Sequence, residues 1–163
     1  MLPTQVLDKS LQELEGSDWG EPKYDSYLVR TMHRLRRVPL REFNVEDLRI
    51  MIGQNIGLKY LIPLAFEKLG KNALAEGDYY PGDLLKAVLT VRPDVWQQHP
   101  EWRIEVQNIA QRAFEILGSA DEQETHVSVP RESLKEGYQF FESPDMPSSP
   151  TALMRRLLGM DES

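Results

Sequence analysis

The chain has 163 residues, 40% of them hydrophobic and 28% charged, with no cysteine and a net charge of −7. This length and balance fit one soluble domain able to bury its own core. Lack of Cys excludes disulfides, thiolate zinc sites and a cysteine nucleophile and fits a reducing cytoplasm, while the acidity disfavours a broad phosphate-binding surface and favours a basic protein partner.

Taken in chain order, the pattern predicts helices separated by Pro/Gly turns. A first helix is expected over residues 4–15, with Leu7, Leu11 and Leu14 on one face and Gly16 as the stop. A polar loop, Ser17 to Pro22, follows. A second helix is expected over 24–37, with Tyr24, Leu28 and Leu35 as its apolar stripe, ended by Pro39. A third begins after Asn44, a good N-cap, with Asp47 in its first turn. Between Val45 and Leu69, 14 of 25 residues are apolar, which marks the centre of the core. A fourth helix, 58–69, contains Pro63, so it is either kinked there or starts near Ile62.

Residues 75–82 read as a turn-rich loop, and Asp83 opens a short helix to Val91. Pro100 suits the first position of the next helix, in which Trp102, Val106, Ile109, Ala113 and Ile116 keep helical spacing to a stop at Gly118. Residues 119–129 read as an acidic loop, with one short strand as an option at 125–129. Leu134, Tyr138 and Phe141 share a face in a helix over 130–141. Residues 143–150 carry three prolines and read as a linker before a last short helix. The expected fold is all-α: a single helical domain of six to eight helices over residues 1–142, with a Pro/Ser linker and short helix in 143–163. The longest apolar run, residues 60–66, is far short of the ~20 needed to span a membrane, and the N-terminus lacks the features of a secretory signal.

Catalytic signatures are absent: no H-E-x-x-H, phosphate-cradling loop or nucleophile elbow is present. His33, His99 and His126 lie in separate segments without ligand spacing, so no metal, cofactor or catalytic residue is assigned. Glu76, Asp78 and Asp83 could converge on the Tyr79-Tyr80 turn, but acids before a helix are usually caps.

Charge is segregated. Residues 1–25 hold six acids against two lysines, residues 119–145 seven acids against two bases, and residues 26–49 six arginines against three acids. Arg30, Arg34 and Arg37 share a helix face, which suits either phosphate contact or internal pairing with the acidic ends. A helix-turn-helix reading of 45–69 fails on its second helix, whose Leu58, Tyr60, Leu61, Ile62, Leu64 and Phe66 are too apolar for a DNA groove.

The ordered combination EDLRIMIGQNIGL, YLIPLA and AEGDYYPGDLL, within residues 27–91, resembles the immunity proteins of bacterial contact-dependent growth inhibition (CDI), the CdiI type. The resemblance implies a non-enzymatic cytoplasmic protein that binds a cognate CdiA C-terminal toxin domain, most simply 1:1, with many such toxins being nucleases. It implies no membrane or direct nucleic-acid partner. One patch shared across a family cannot recognise diverse toxins, so the acidic, aromatic loops and ends are the expected toxin-binding residues: Asp18, Trp19, Glu21, Asp25, Asp78, Tyr79, Tyr80, Asp121, Glu122, Glu124, Glu132 and Glu136. Tyr79 and Tyr80 suit either interface anchors or buried rings tied to a cap. The rival reading is a nucleic-acid-binding regulator using Arg30, Arg34 and Arg37.

Overall fold

The computed structural model describes residues 2–121 and 128–142, with side chains described to 118 and again from 130. Its helices are α1 (Thr4–Leu7), α2 (Leu11–Glu15), α3 (Tyr27–Leu35), α4 (Val45–Gly53), α5 (Leu58–Lys71), α6 (Asp83–Leu89), α7 (Asp94–Gln98), α8 (Pro100–Asp121) and α9 (Ser128–Glu142), with a 3-10 turn at Leu40–Glu42. Among the described residues the only β pairing is an isolated bridge between Glu76 and Pro81. The fold is all-α.

α6 lies at the centre. Every residue from Asp83 to Leu89 is buried except Lys86, and a helix apolar nearly all round must be covered on several sides. It packs against both α4 and α9, and more lightly against α5 and α8. Leu84, Leu85, Val88 and Leu89 meet Leu48, Met51, Ile52, Leu61, Ile62 and Tyr138 in one core.

Local chemistry sets where the helices begin. The expected single helix over 4–15 is two, because Ser10 caps a new start. Its hydroxyl accepts from the Glu13 amide at 3.2 Å while Glu13 accepts from the Ser10 amide at 3.3 Å. This S-x-x-E capping box was present in the sequence. Asn44, the expected N-cap, forms a second one with Asp47. α3 starts at Tyr27 rather than Tyr24, because the Ser26 hydroxyl accepts from the Val29 amide. α5 runs unbroken from Leu58 through Pro63. Pro63 leaves the Lys59 carbonyl without its helical partner, at a cost of about 3 kcal/mol, which burial of Leu58, Leu61, Ile62, Leu64, Ala65 and Leu69 offsets. That burial is also what the helix-turn-helix objection anticipated.

Two elements escaped the sequence reading: the 3-10 turn at Leu40–Glu42 and α7, which delivers Trp96 edge-on to Phe141 at 5.5 Å. α8 also continues past Gly118 to Asp121. Residues 143–163, and the strand option over 125–127, lie outside the described residues. Ser128 and Val129, the rest of that option, are helical.

At the far end of the core, α8 and α9 share a buried polar knot. The Tyr138 hydroxyl donates to Glu142 Oε1 at 2.5 Å. Gln107 and Arg103 donate to the same carboxylate at 3.3 and 3.4 Å. Burial first, and then the bond to Glu142, pushes the Tyr138 hydroxyl well above the ordinary tyrosine range.

Candidate functional site

The turn before α6 is built around an inward-facing carboxylate. Asp83 is only 3% exposed. Its Oδ1 accepts from the Gly77 amide at 2.6 Å and its Oδ2 from the Tyr79 amide at 3.0 Å. Gly82, at φ +93°, supplies a left-handed backbone that a side chain would strain, and a Cβ there would also meet Leu134 at 3.0 Å. Of the three acids expected to converge here, Asp83 is therefore a structural acceptor. Glu76 and Asp78 keep exposed side chains.

α4 locks the same turn from outside. Glu46 Oε1 accepts from the Asp78 amide at 3.0 Å. Its two oxygens hold Arg49 in a fork, at 2.5 Å to Nε and 2.6 Å to Nη2. Glu46 and Asp47 are neighbours with opposite duties, one on this fork and the other in the capping box. The Arg49 hydrogen bonds, aided by the Asp78 amide, hold the Glu46 carboxyl below its ordinary value despite its partial burial. The Arg49 guanidinium stacks over the Tyr79 ring, 4.4 Å from its centroid. Gly77 is needed for clearance: a Cβ there would lie 2.5 Å from Glu46 Oε1.

The two tyrosines separate. Tyr79 is 70% exposed, with the Arg49 guanidinium stacked on its ring. Tyr80 is half-buried and its hydroxyl pairs with Ser133 of α9. Lys86 donates to the Ser133 carbonyl at 2.9 Å and reaches Glu136 at 3.6 Å. α9 is thereby fastened to the turn. Of the α9 candidates, Glu136 faces Lys86 and Glu132 pairs with Lys135 at 3.4 Å. Asp121 ends α8, its side chain not described; Glu122 and Glu124 lie outside the described residues.

The N-terminal acidic candidates sit elsewhere, against the arginines. Arg30 pairs with Asp25. Arg37 reaches Asp18 and Glu21, each at 3.9 Å, and donates to the Gly20 carbonyl at 3.1 Å. Arg41 pairs with Asp8. Arg36 is buried on Glu15 and the Ser17 carbonyl, with its guanidinium 4.4 Å from the Trp19 ring centre. His33 meets Trp19 edge-on. Of the basic face proposed for phosphate, only Arg34 is exposed and without an ion-pair partner among the described residues. Internal pairing therefore uses most of that charge.

Missed by the sequence reading is the exposure of α3's first turn. Tyr27 is 70% and Leu28 39% exposed. With Ile50, Gln54, Asp78 and Tyr79 they line a depression of about 310 Å³. Only Thr31 and Leu35 of α3 are buried. Of the expected stripe Tyr24, Leu28 and Leu35, only Leu35 is buried; Tyr24, before the helix start, is 74% exposed.

Among the described residues no cluster of His, Asp or Glu could hold a metal ion, and no helix is long and apolar enough to cross a membrane. What the geometry offers is rigidly mounted, exposed aromatic side chains beside carboxylates, the equipment of a small α-helical protein-binding domain. A family model of CDI immunity proteins matches residues 13–106, more than half of the chain. The chain belongs to that family. Comparison with curated proteins gives no match.

Proposed function

We propose that the chain binds the C-terminal toxin domain of its cognate CDI effector, a nuclease, in the cytoplasm and neutralises it as a 1:1 complex. The observation that carries this reading is the family match over residues 13–106, which takes in both the acidic N-terminal loop and the 76–83 turn. A toxin that turns over kills at few copies, so useful neutralisation needs a Kd on the order of nanomolar or tighter, about −12 kcal/mol. A nuclease presents a basic substrate groove, and a chain of net charge −7 steers toward it. The association rate then falls steeply as salt is raised.

The candidates divide by what their carboxylates and rings already do. Asp78 and Tyr79 are exposed and available to a partner. Tyr80, tied to Ser133, serves stability first. Asp18, Glu21 and Asp25 reach a toxin only by sharing or exchanging their arginines. Trp19 covers the buried Arg36 with one face and is 41% exposed. Glu132, Glu136, Asp121, Glu122 and Glu124 remain candidates for a secondary contact.

The test is co-expression with the toxic C-terminal domain encoded immediately upstream, scoring growth and co-purification. Rescue with a 1:1 complex is the expected result. Growth arrest without rescue overturns the reading.

A further inference from the structure

The sequence writes an apolar patch at the start of α3 that is exposed among the described residues. Tyr27 and Leu28 stand exposed beside Tyr79, and all three line one depression with the buried Ile50. Burying such side chains is the ordinary fate of large apolar groups, and leaving several at one depression marks an interaction site. We propose that this depression is the toxin's docking site and that it receives a toxin loop presenting one apolar side chain next to a lysine or arginine. The inference rests on the toxin-neutralising reading and goes beyond it by naming the face and the chemistry of its occupant.

Three observations support that occupant. First, the floor and one wall are preorganised. Arg49 is forked by Glu46 and stacked on Tyr79, while Asp83 and Glu46 hold the amides of Gly77, Tyr79 and Asp78. A surface already ordered loses little side-chain and loop freedom on binding. Second, the charges in the depression are unequal in availability. Arg49 is neutralised by Glu46, whereas Asp78 has no cation paired with it among the described residues. An incoming cation therefore finds Asp78, and an apolar side chain finds Leu28 and the tyrosine faces. Third, a second copy of this chain fits poorly, because two molecules of net charge −7 repel and would set one unpaired Asp78 near another. The comparison patch is the exposed Ile116 on α8, 48% exposed, outside both the depression and the family-matched span.

The experiment measures binding of the upstream-encoded toxin domain to the full chain by surface plasmon resonance, alongside Tm and growth rescue. Tyr27→Ala combined with Tyr79→Ala is expected to raise Kd at least about 100-fold, mainly through faster dissociation, with Tm within about 3 °C of wild type. Asp78→Asn is expected to raise Kd several-fold at low salt and less at high salt. Ile116→Ala should bind like wild type. Hydrogen exchange on the wild-type complex gives a readout that needs no variant: toxin-dependent protection is expected at residues 27–30 and 77–80. If wild type neutralises the toxin while the double variant binds equally well, or protection falls elsewhere, the docking face is wrong and the function stands. If wild type does not bind the toxin, the function and the face fall together. If the chain alone is a dimer that the double variant dissociates, the occupant is a second copy and the proposal is overturned.

Discussion

Residues 18–25 (DWGEPKYD) and 76–83 (EGDYYPGD) are alike on paper: short, acidic, aromatic and broken by Pro and Gly. The fold uses them in opposite ways. In the first, the carboxylates stay exposed and meet arginines, two of them at 3.9 Å, with Asp18 also accepting from the Gly20 amide at 2.8 Å in solvent. In the second, Asp83 turns inward onto backbone amides and Glu46 seals the outside. Exposed ion pairs hold a loop weakly because solvent and salt screen them, whereas a buried acceptor facing amides fixes the backbone. The same residue types thus give a tethered loop in one place and a rigid platform in the other. Each leaves a tyrosine exposed, Tyr24 in the first and Tyr79 in the second, but the platform is the one whose backbone a buried carboxylate holds.

This contrast can be broken by substitutions ranked from large effect to small. Asp83→Ala strands the Gly77 and Tyr79 amides and the more distant Tyr80 amide and should cost about 3 kcal/mol in urea unfolding. A loss under about 1 kcal/mol would mean that the turn is held by other contacts. Gly77→Ala pushes a Cβ into the Glu46 carboxylate and should cost about 1–2 kcal/mol, with loss of the Arg49 stacking on Tyr79 visible as altered tyrosine fluorescence.

Glu46→Gln should cost about 1.5 kcal/mol near neutral pH and carries a pH signature. The folded Glu46 carboxyl sits below its unfolded value because Arg49 bonds it. Its contribution is therefore present above the ordinary Glu range, near pH 4.3, and disappears as pH falls through the lower folded value. The acid limb of a stability–pH curve should be shallower in the Gln variant.

Tyr138 serves as a control outside both regions. Its folded pKa is raised, by burial first, so its contribution is intact below about pH 10 and is lost as pH rises above that. Tyr138→Phe should flatten the alkaline limb, at a cost of about 1 kcal/mol. The smallest effect is expected in the N-terminal loop. Asp18→Asn, Glu21→Gln and Arg37→Ala should each move stability by less than about 0.5 kcal/mol. A larger loss from any of them would erase the distinction between the two regions.

Much of this was legible in advance. The apolar density of residues 45–69, the N-cap at Asn44, and the face shared by Leu134, Tyr138 and Phe141 became core or cap, and so did Val106, Ile109 and Ala113 of the α8 stripe, whereas its Trp102 is only partly buried and its Ile116 is 48% exposed. These signals are local and periodic. The capping boxes at Ser10 and Asn44 depend on residues three apart, and Ser10 could have been read as Asn44 was. The family motif was carried by contiguous runs within the matched span. α7 was harder, since five residues between Pro93 and Pro100 give too little periodicity to register.

The sequence by itself determined the all-α class, the central core and the family, because helix periodicity, capping and motif order are written in neighbouring residues. Only the tertiary structure decided which acids face inward and which tyrosine stays free. Asp83 and Asp78 differ by whether amides converge on them, Tyr79 and Tyr80 by whether α9 reaches the hydroxyl, and Leu28 by the absence of a covering helix among the described residues. Each outcome depends on what a distant segment brings to within a few ångströms, and composition carries no record of that.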